Sequence, residues 1–440
     1  MNESFSLIPQ WFPAGHGPDE IRQTSGFLRI DIQNRPATRV DDDWAKSVRD
    51  TVLVSCYPLA IWFASSWWRL CWEPIPETAP NTDWCLSHDM RGAGHGFLWP
   101  PMRFISDGET VSIICTPSAA ESNEPIRYLT NCRASIPVDA FTKAIESFIQ
   151  TVLARLDVVG MQNTELHAIW REVVMERGNL QATSHRRLEA TLGFDPDGAP
   201  EDIAENFLKL SEEAGEAAVI EIAAACANRD PSLILDDIRK SVVSSGITGN
   251  LSGIPKLSTA DLCDRLNPAP WDRGRALARA VRAVLGNRMD PIPDRHMCDL
   301  LGVRTEDLTV DHTPMARLPW SLAIRETEGN QVNLLFRYKG LCSRRFEMAR
   351  WLGDSFLAPM RDRWLPATGK KTARQKMQRA FAAEFLAPID ALHSFFDGDF
   401  TDEDRIEEAG KHFGVSPLTV KSHLSNHSLV LPETVGIYSS

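Results

Sequence analysis

Two oppositely charged side chains, Arg350 and Asp354, lie four residues apart in a stretch with the apolar spacing of a helix. Side chains at positions i and i+4 share one face of a helix, so this spacing predicts an ion pair between them. Glu384, on a second predicted helix, is the carboxylate expected to join them as a third member. An arginine cannot ligate a cation, and two carboxylates without a histidine make a poor zinc site. The chemistry predicted here is charge neutralisation rather than catalysis.

The common catalytic signatures are absent from the sequence. It contains no His-Glu-x-x-His, no Walker phosphate loop and no Gly-x-Ser-x-Gly. Cys85, His88 and His95 have a loosely metal-like spacing, but no fourth ligand stands nearby. The glycines of residues 91–96 lack the strand-to-helix context of a phosphate loop. These residues favour a protein that is not an enzyme and that carries no metal and no cofactor.

Two predicted helices position the charged residues. Apolar residues recur at helical spacing at positions 346, 349, 352, 353, 356 and 357, so one stripe of the first helix should face a core. The second helix has Phe381 and Phe385 as apolar anchors and ends at Pro388. A strand is predicted over residues 331–338, and lead-in helices over residues 275–285 and 297–302.

The two helices resemble the active-site helices of the ImmA/IrrE family of metallopeptidases. The resemblance is carried by Arg344-Arg345-Phe346 and by residues 381–388, and it covers about 170 residues from roughly residue 270 onward. The family's first helix binds zinc through two histidines at i and i+4, and the glutamate after the first polarises the metal-bound water. In the aligned sequence those places are taken by Arg350, Trp351 and Asp354, and Met377 stands at or near the place of the third ligand.

The resemblance implies a zincin-like domain with a degenerate His-Glu-x-x-His motif. It further implies a cytoplasmic regulatory or scaffold protein that binds another protein in a mobile-element, phage-defence or stress-response system. Trp351 either contacts a bound segment or fills the void left by metal and water. An active metallopeptidase with non-standard ligands is one alternative. The residues expected to shape a retained binding cleft are Arg344, Arg345, Trp351, Phe381, Glu384 and Phe385.

Residues 402–431 predict a terminal helical pair with the outline of a helix-turn-helix. The first helix closes on Gly414, Ser416 is the N-cap of the second, and Pro417 occupies its first position. Taken alone, the pair is similar to the DNA-reading unit of LuxR-type regulators, which makes a DNA-binding regulator the second alternative. It can equally be a structural pair packed on the core, and the acidic run before it opposes DNA binding. The residues that would face DNA are Thr419, Lys421, Ser422 and His423.

Composition limits the remaining choices. The chain has 440 residues, a net charge of −12 and nine scattered cysteines without a Cys-x-x-Cys. The length allows two or three domains, and the acidic balance argues against broad binding to nucleic acid or anionic membranes. The cysteine usage and the lack of a signal peptide at the N-terminus predict a reduced, cytoplasmic protein.

The predicted fold class is α+β in three domains. Residues 1–135 are expected to form a β-rich domain, residues 136–265 a helical domain with a linker at 244–255, and residues 266–440 the ImmA/IrrE-like domain. The apolar stretch 53–72 is predicted as a buried strand-and-turn core rather than a membrane span. Seven of the thirteen tryptophans fall between residues 44 and 99, and most are expected to be buried.

Overall fold

The computed structural model describes residues 5–119, 125–226, 236–238, 240–241, 246–257, 269–308, 319–326 and 330–430. The chain divides into two compact units, Met1–Ala204 and Glu205–Ser440. Antiparallel sheets lie in the N-terminal region and most helices follow later in the chain, so the predicted mixed α+β class is confirmed.

Short antiparallel strands form three small sheets in the first unit. One sheet has the order β1-β2-β3 with β6 also paired to β2, and the other two have the orders β10-β8-β7 and β5-β4-β9. Gln33 and Asn34, both with positive φ, make the two-residue turn between β2 and β3. The strands are β1 (Phe5–Trp11), β2 (Ser25–Ile32), β3 (Arg35–Pro36), β4 (Val40–Asp42), β5 (Ser47–Arg49), β6 (Val52–Ser55), β7 (Met102–Ser106), β8 (Thr110–Cys115), β9 (Ile126–Tyr128) and β10 (Cys132–Pro137).

The helices of the first unit share one hydrophobic core with its strands. Phe141 on α5 stacks on Phe5 of β1 with 5.8 Å between ring centroids, and Ile145 and Phe148 continue the same buried stripe. The domain boundary expected at residue 135 therefore falls inside this core. The helices are α1 (Asp19–Gln23), α2 (Cys56–Ser65), α3 (Trp67–Trp72), α4 (Thr82–His88), α5 (Val138–Val158), α6 (Glu165–Arg177) and α7 (Leu180–Leu192).

The stretch 53–72 is mostly helical, which corrects the predicted strand-and-turn core. After β6 the chain enters α2, which Ser55 caps by accepting a hydrogen bond from the Tyr57 amide, and α3 follows directly. Both helices are buried on nearly all sides, so their residues show no helical period in the sequence. Within the described residues no helix is long and apolar enough to cross a membrane. Five of the seven clustered tryptophans are buried, whereas Trp44 is 86% exposed.

The second unit is built on an antiparallel sheet with the order β11-β13-β12-β14. Strand β11 lies within the expected linker 244–255, part of which falls outside the described residues, and β11 pairs with β13 over its whole length. Helix α8 (Glu201–Ala214) crosses the sequence boundary between the units. The other elements are α9 (Glu216–Cys226), β11 (Ile247–Asn250), α10 (Pro270–Val284), α11 (Asp294–Leu301), β12 (Ser321–Arg325), β13 (Gln331–Leu335), α12 (Leu341–Leu357), β14 (Trp364–Ala367), α13 (Ala373–Leu386), α14 (Ile389–Phe396), α15 (Glu403–Phe413) and α16 (Pro417–Asn426).

Glycines let three helices of this unit approach each other closely. A Cβ at Gly274 on α10 would overlap the carbonyl oxygen of Met377 on α13 and lie 3.0 Å from the amide nitrogen of Phe381. A Cβ at Gly353 on α12 would lie 2.7 Å from Cδ1 of the same phenylalanine. Helix α13 is therefore held between α10 and α12.

We expect Gly274→Ala to lower the free energy of unfolding by about 1 to 3 kcal/mol, because overpacking against backbone outweighs the helix propensity of alanine. Urea denaturation followed by circular dichroism measures the change. Ala276→Gly, at an exposed site on the same helix, is the control and should cost about 1 kcal/mol through propensity alone. A Gly274→Ala protein more stable than the wild type would contradict the close approach of α10 and α13.

Candidate functional site

Two buried arginines at the start of α12 fix that helix to its surroundings. Arg344 donates to the carbonyl oxygens of Leu308 at 2.7 Å and Tyr338 at 3.1 Å. Arg345 donates to the carbonyl oxygen of Ile292 at 2.7 Å and forms an ion pair with Asp294. Both arginines are almost fully buried, so they act as framework and not as the binding residues that the sequence predicted.

Arg350 does not pair with Asp354 or Glu384, which corrects the predicted ion pair. Its guanidinium donates to the carbonyl oxygen of Thr368 at 2.7 Å and to the side-chain oxygen of Gln375. Burial lowers the pKa of Arg350. The side chain reaches from α12 towards the connection between β14 and α13, where its Nη2 donates to these two neutral oxygens, while its buried Nε has no hydrogen-bond partner among the described residues.

Asp354 pairs instead with Arg374, which lies on α13. Arg374 donates from Nη2 to Asp354 Oδ2 at 2.8 Å and from Nε to Asp354 Oδ1 at 2.9 Å, and from Nη1 to Asp362 at 3.1 Å. Burial acts to lower the pKa of Arg374, but the charge of Asp354 and its hydrogen bonds outweigh that effect and raise it. The pairing of Asp354 with Arg374 was not predicted from the sequence. Arg374 lies three residues before Met377, so these two residues share one face of α13.

Trp351, which the resemblance would put in the place of a general base, is a core residue. Only 1% of its surface is exposed, and its ring lies 5.1 Å from that of Phe336. Met377 is buried, and Phe381 and Phe385 stack with 5.4 Å between their centroids. The alternative in which Trp351 contacts a bound segment is therefore wrong, as is the expectation that the two phenylalanines face a cleft.

Glu384 has its partners on α10 and α16. It accepts a hydrogen bond from Arg279 at 2.7 Å, and one of its oxygens lies 3.1 Å from His423 Nε2. Burial acts to raise the pKa of Glu384, but the hydrogen bonds from His423 and Arg279 outweigh it and lower the pKa to about 2. This carboxylate is therefore charged inside the fold and joins α13 to its two neighbours.

The terminal pair α15 and α16 has the predicted caps. Gly414 is left-handed at the end of α15, and the Thr419 amide donates to the Ser416 hydroxyl at 3.1 Å. Two of the predicted DNA contacts have partners within the protein. His423 is buried against Glu384, and Lys421 pairs with Glu403 at 2.7 Å. Thr419 is half-buried and only Ser422 is exposed. The pair packs on the core, and His423 cannot face DNA.

His88, considered as a metal ligand together with Cys85 and His95, is part of a packed cluster in the first unit. It is fully buried, stacks on Trp84 with 4.2 Å between centroids, and lies 2.9 Å from Glu73 through Nε2. Its other ring nitrogen, Nδ1, lies 3.1 Å from the Phe104 carbonyl oxygen, so both ring nitrogens already have partners.

A groove of about 690 Å³ opens between α10, α13 and α16. Among the described residues that line it, the strongly charged side chains are all basic. Three large apolar side chains, Trp271, Phe346 and Leu418, share the lining, and Leu418 is 71% exposed. The basic residues are Arg275, Lys371, Lys376 and Arg379. Composition along the chain did not indicate this groove, because its residues come from four separate segments.

No family model matches the chain, and neither a curated protein nor a solved structure is significantly similar to it. Its function is therefore inferred from the geometry of the second unit.

Removing the arginine that Asp354 and Asp362 share tests the buried ion cluster. We expect Arg374→Ala to lower the free energy of unfolding by about 3 to 5 kcal/mol, because two buried carboxylates lose their counter-charge. Lys209→Ala is the matched control, since its ion pair with Glu205 is exposed and should contribute less than about 1 kcal/mol. Equal effects of the two substitutions in denaturant titrations would contradict the assignment.

Glu347 on α12 gives the second unit a pH dependence. It accepts a hydrogen bond from Ser321, and burial raises its pKa from 4.5 to about 7. The folded protein then binds a proton that the unfolded chain has released, so stability falls as pH rises from about 4.5 to about 7.

We expect Glu347→Gln to remove this loss of stability with rising pH. For the pKa shift of Glu347, the loss amounts to about 3 kcal/mol in the free energy of unfolding. The free energy of unfolding of the variant minus that of the wild type should rise by this amount between pH 4.5 and pH 7.5, as measured by urea titration at each pH. A difference that stays constant across the range would show that Glu347 ionises normally.

Proposed function

We propose that this protein is a catalytically degenerate ImmA/IrrE-like protein that binds another protein as a regulatory or scaffold component. The proposal rests on the burial and the partners of three side chains on α12. Arg350, Trp351 and Asp354, which stand where the resemblance would put the zinc ligands and the general base, are all buried and packed or paired with other parts of the fold.

A zinc ion has no place at that position. The guanidinium groups of Arg350 and Arg374 already supply positive charge there, and a divalent cation would meet their repulsion in a poorly solvated interior. The oxygens of Asp354 are engaged by Arg374, and neither Arg350 nor Trp351 offers a ligand atom. Helix α12 thus supports the fold of the second unit without supporting hydrolysis.

The surface best suited to binding is the groove between α10, α13 and α16. Its basic lining contrasts with the net charge of −12 on the whole chain, so it should attract an acidic segment. Trp271, Phe346 and Leu418 offer large apolar contacts beside the charges, and aromatic residues are enriched at binding hot spots. The partner we propose is therefore an acidic protein segment that also carries apolar side chains.

The DNA-binding alternative has weaker support. Two of the four residues that would contact DNA are paired with carboxylates: His423 with Glu384 inside the fold, and Lys421 with Glu403 at the surface. The first turn of α15 also presents Glu403 and Asp404, which would repel phosphates. The mobile-element, phage-defence or stress-response setting follows from the family resemblance alone.

The groove is tested with a variant that reverses one charge and removes one apolar contact. Lys371→Glu combined with Leu418→Asp should weaken binding of a captured protein partner at least about tenfold, that is by about 1.4 kcal/mol. Lys411→Glu combined with Met360→Asp changes the same residue properties at exposed sites outside the groove and should leave binding unchanged. Tagged wild-type and variant proteins are compared in nuclease-treated host lysate and then with the purified partner.

A protein retained by the wild type and the control but lost by the groove variant supports the proposal. Equal retention by all three would overturn the groove as the binding surface. Retention of nucleic acid, abolished by nuclease, would favour the DNA-binding alternative instead.

A further inference from the structure

Three potential metal ligands converge at the end of α16. Glu384 of α13, His423 of α16 and His427 at the C-cap of α16 each offer one ligand atom, and these atoms all lie within 4.8 Å of one another. The two histidine rings are perpendicular, with 5.0 Å between their centroids. This cluster does not include the α12 residues discussed above, because the partners of Glu384 lie on α10 and α16.

The spacing of the two histidines suits chelation. Residues four apart lie on one face of a helix, and this is the arrangement by which helical histidine pairs bind zinc. Bonds of about 2.0 to 2.1 Å in a tetrahedral site place neighbouring ligand atoms roughly 3.3 Å apart. The observed 3.1 Å between Glu384 Oε2 and His423 Nε2 is close to that edge length.

One ligand atom of the cluster has no partner. Among the described residues nothing forms a hydrogen bond with the buried Nε2 of His427. Leaving a buried polar nitrogen unpaired costs about 1 to 3 kcal/mol, so such an atom needs an explanation. A bound ion would supply it.

A supporting contact orients the carboxylate. Arg279 donates to Glu384 Oε1 at 2.7 Å, which leaves Oε2 turned towards His423. Hydrogen bonds of this kind to the second oxygen are typical of metal-binding carboxylates and contribute to affinity. Arg279 is thus a positioning residue, and its charge also offsets part of that of Glu384.

We propose that Glu384, His423 and His427 form a binding site for a divalent transition-metal ion of the zinc class. Two imidazoles and one carboxylate match that class, whereas calcium and magnesium take oxygen ligands. The ion replaces the hydrogen bond between Glu384 and His423, with the His423 ring in the tautomer that carries its hydrogen on Nδ1. A water molecule would complete a tetrahedral site with three protein ligands.

The ion would connect α16 to α13 rather than hydrolyse peptides. The residue after the first histidine, where a metallopeptidase has its general base, is Leu424, which is buried and cannot accept a proton. The sequence analysis predicted no metal anywhere in the chain, and the proposed site departs from that prediction. This inference goes beyond the proposed function and does not depend on a partner.

Cobalt and zinc binding to the purified full-length protein tests the site. Titration with Co²⁺ should give the visible absorption of a tetrahedral nitrogen and oxygen site at one equivalent, without the near-ultraviolet thiolate band that binding to any of the nine cysteines would produce. Zinc should displace the cobalt and raise the Tm of the wild type.

His427→Gln is the main variant, because it keeps the approximate size of a half-buried side chain and spares the contact between His423 and Glu384. Loss of a residue that only supports a metal ligand typically lowers metal affinity roughly 10- to 100-fold. Because His427 is proposed as a ligand itself, we expect His427→Gln to lower the affinity by more than this. His412→Ala, which removes an exposed histidine of α15, is the matched control and should bind like the wild type. Far-ultraviolet circular dichroism checks that each variant is folded.

A wild-type protein without a tetrahedral cobalt spectrum, or with a thiolate band, would overturn the site. So would equal metal affinity in the wild type and a folded His427→Gln protein. Because no partner is present in this experiment, its failure would leave the partner-binding result of the proposed function unaffected.

Discussion

The second unit depends on an ion cluster in its interior, in which two buried carboxylates share one arginine. Arg374 lies between Asp354 and Asp362, and this cluster joins α12, α13 and the segment before β14 in the interior. An unpaired charge in such a place costs several kcal/mol, so removing one of the three side chains leaves the others without compensation. Arg350, close by on α12, donates from its Nη2 to neutral oxygens instead.

The same cluster explains the close packing of α12 and α13. Arg374 supplies positive charge between the two helices, and Trp351 fills volume in the core of the unit. Under the proposed function, these side chains stand where the resemblance would put a zinc ion and its ligands. The surfaces available for recognition then lie elsewhere, in the basic groove beside α16 and at the cluster of Glu384, His423 and His427.

Much of the helical framework could be predicted from the sequence, whereas the partners of its charged residues could not. Apolar spacing and stop signals located α12 and α13, and the Gly414, Ser416 and Pro417 pattern located the terminal pair, because these signals are local. Whether Asp354 pairs with Arg350 or Arg374 depends on how two helices meet. The partners of Glu384 likewise depend on how α13 meets α10 and α16. The helices at 56–72 were missed for another reason: they are buried on nearly all sides, so their sequence shows no helical period.

We propose that this protein binds a partner without cleaving it. The most direct measurement is mass spectrometry of the N-termini of a purified captured partner, incubated with the wild-type protein and zinc, with and without a chelator. We predict that the partner keeps its original N-termini under both conditions. New N-termini that form with zinc and disappear with the chelator would contradict the account and identify the protein as an active metallopeptidase.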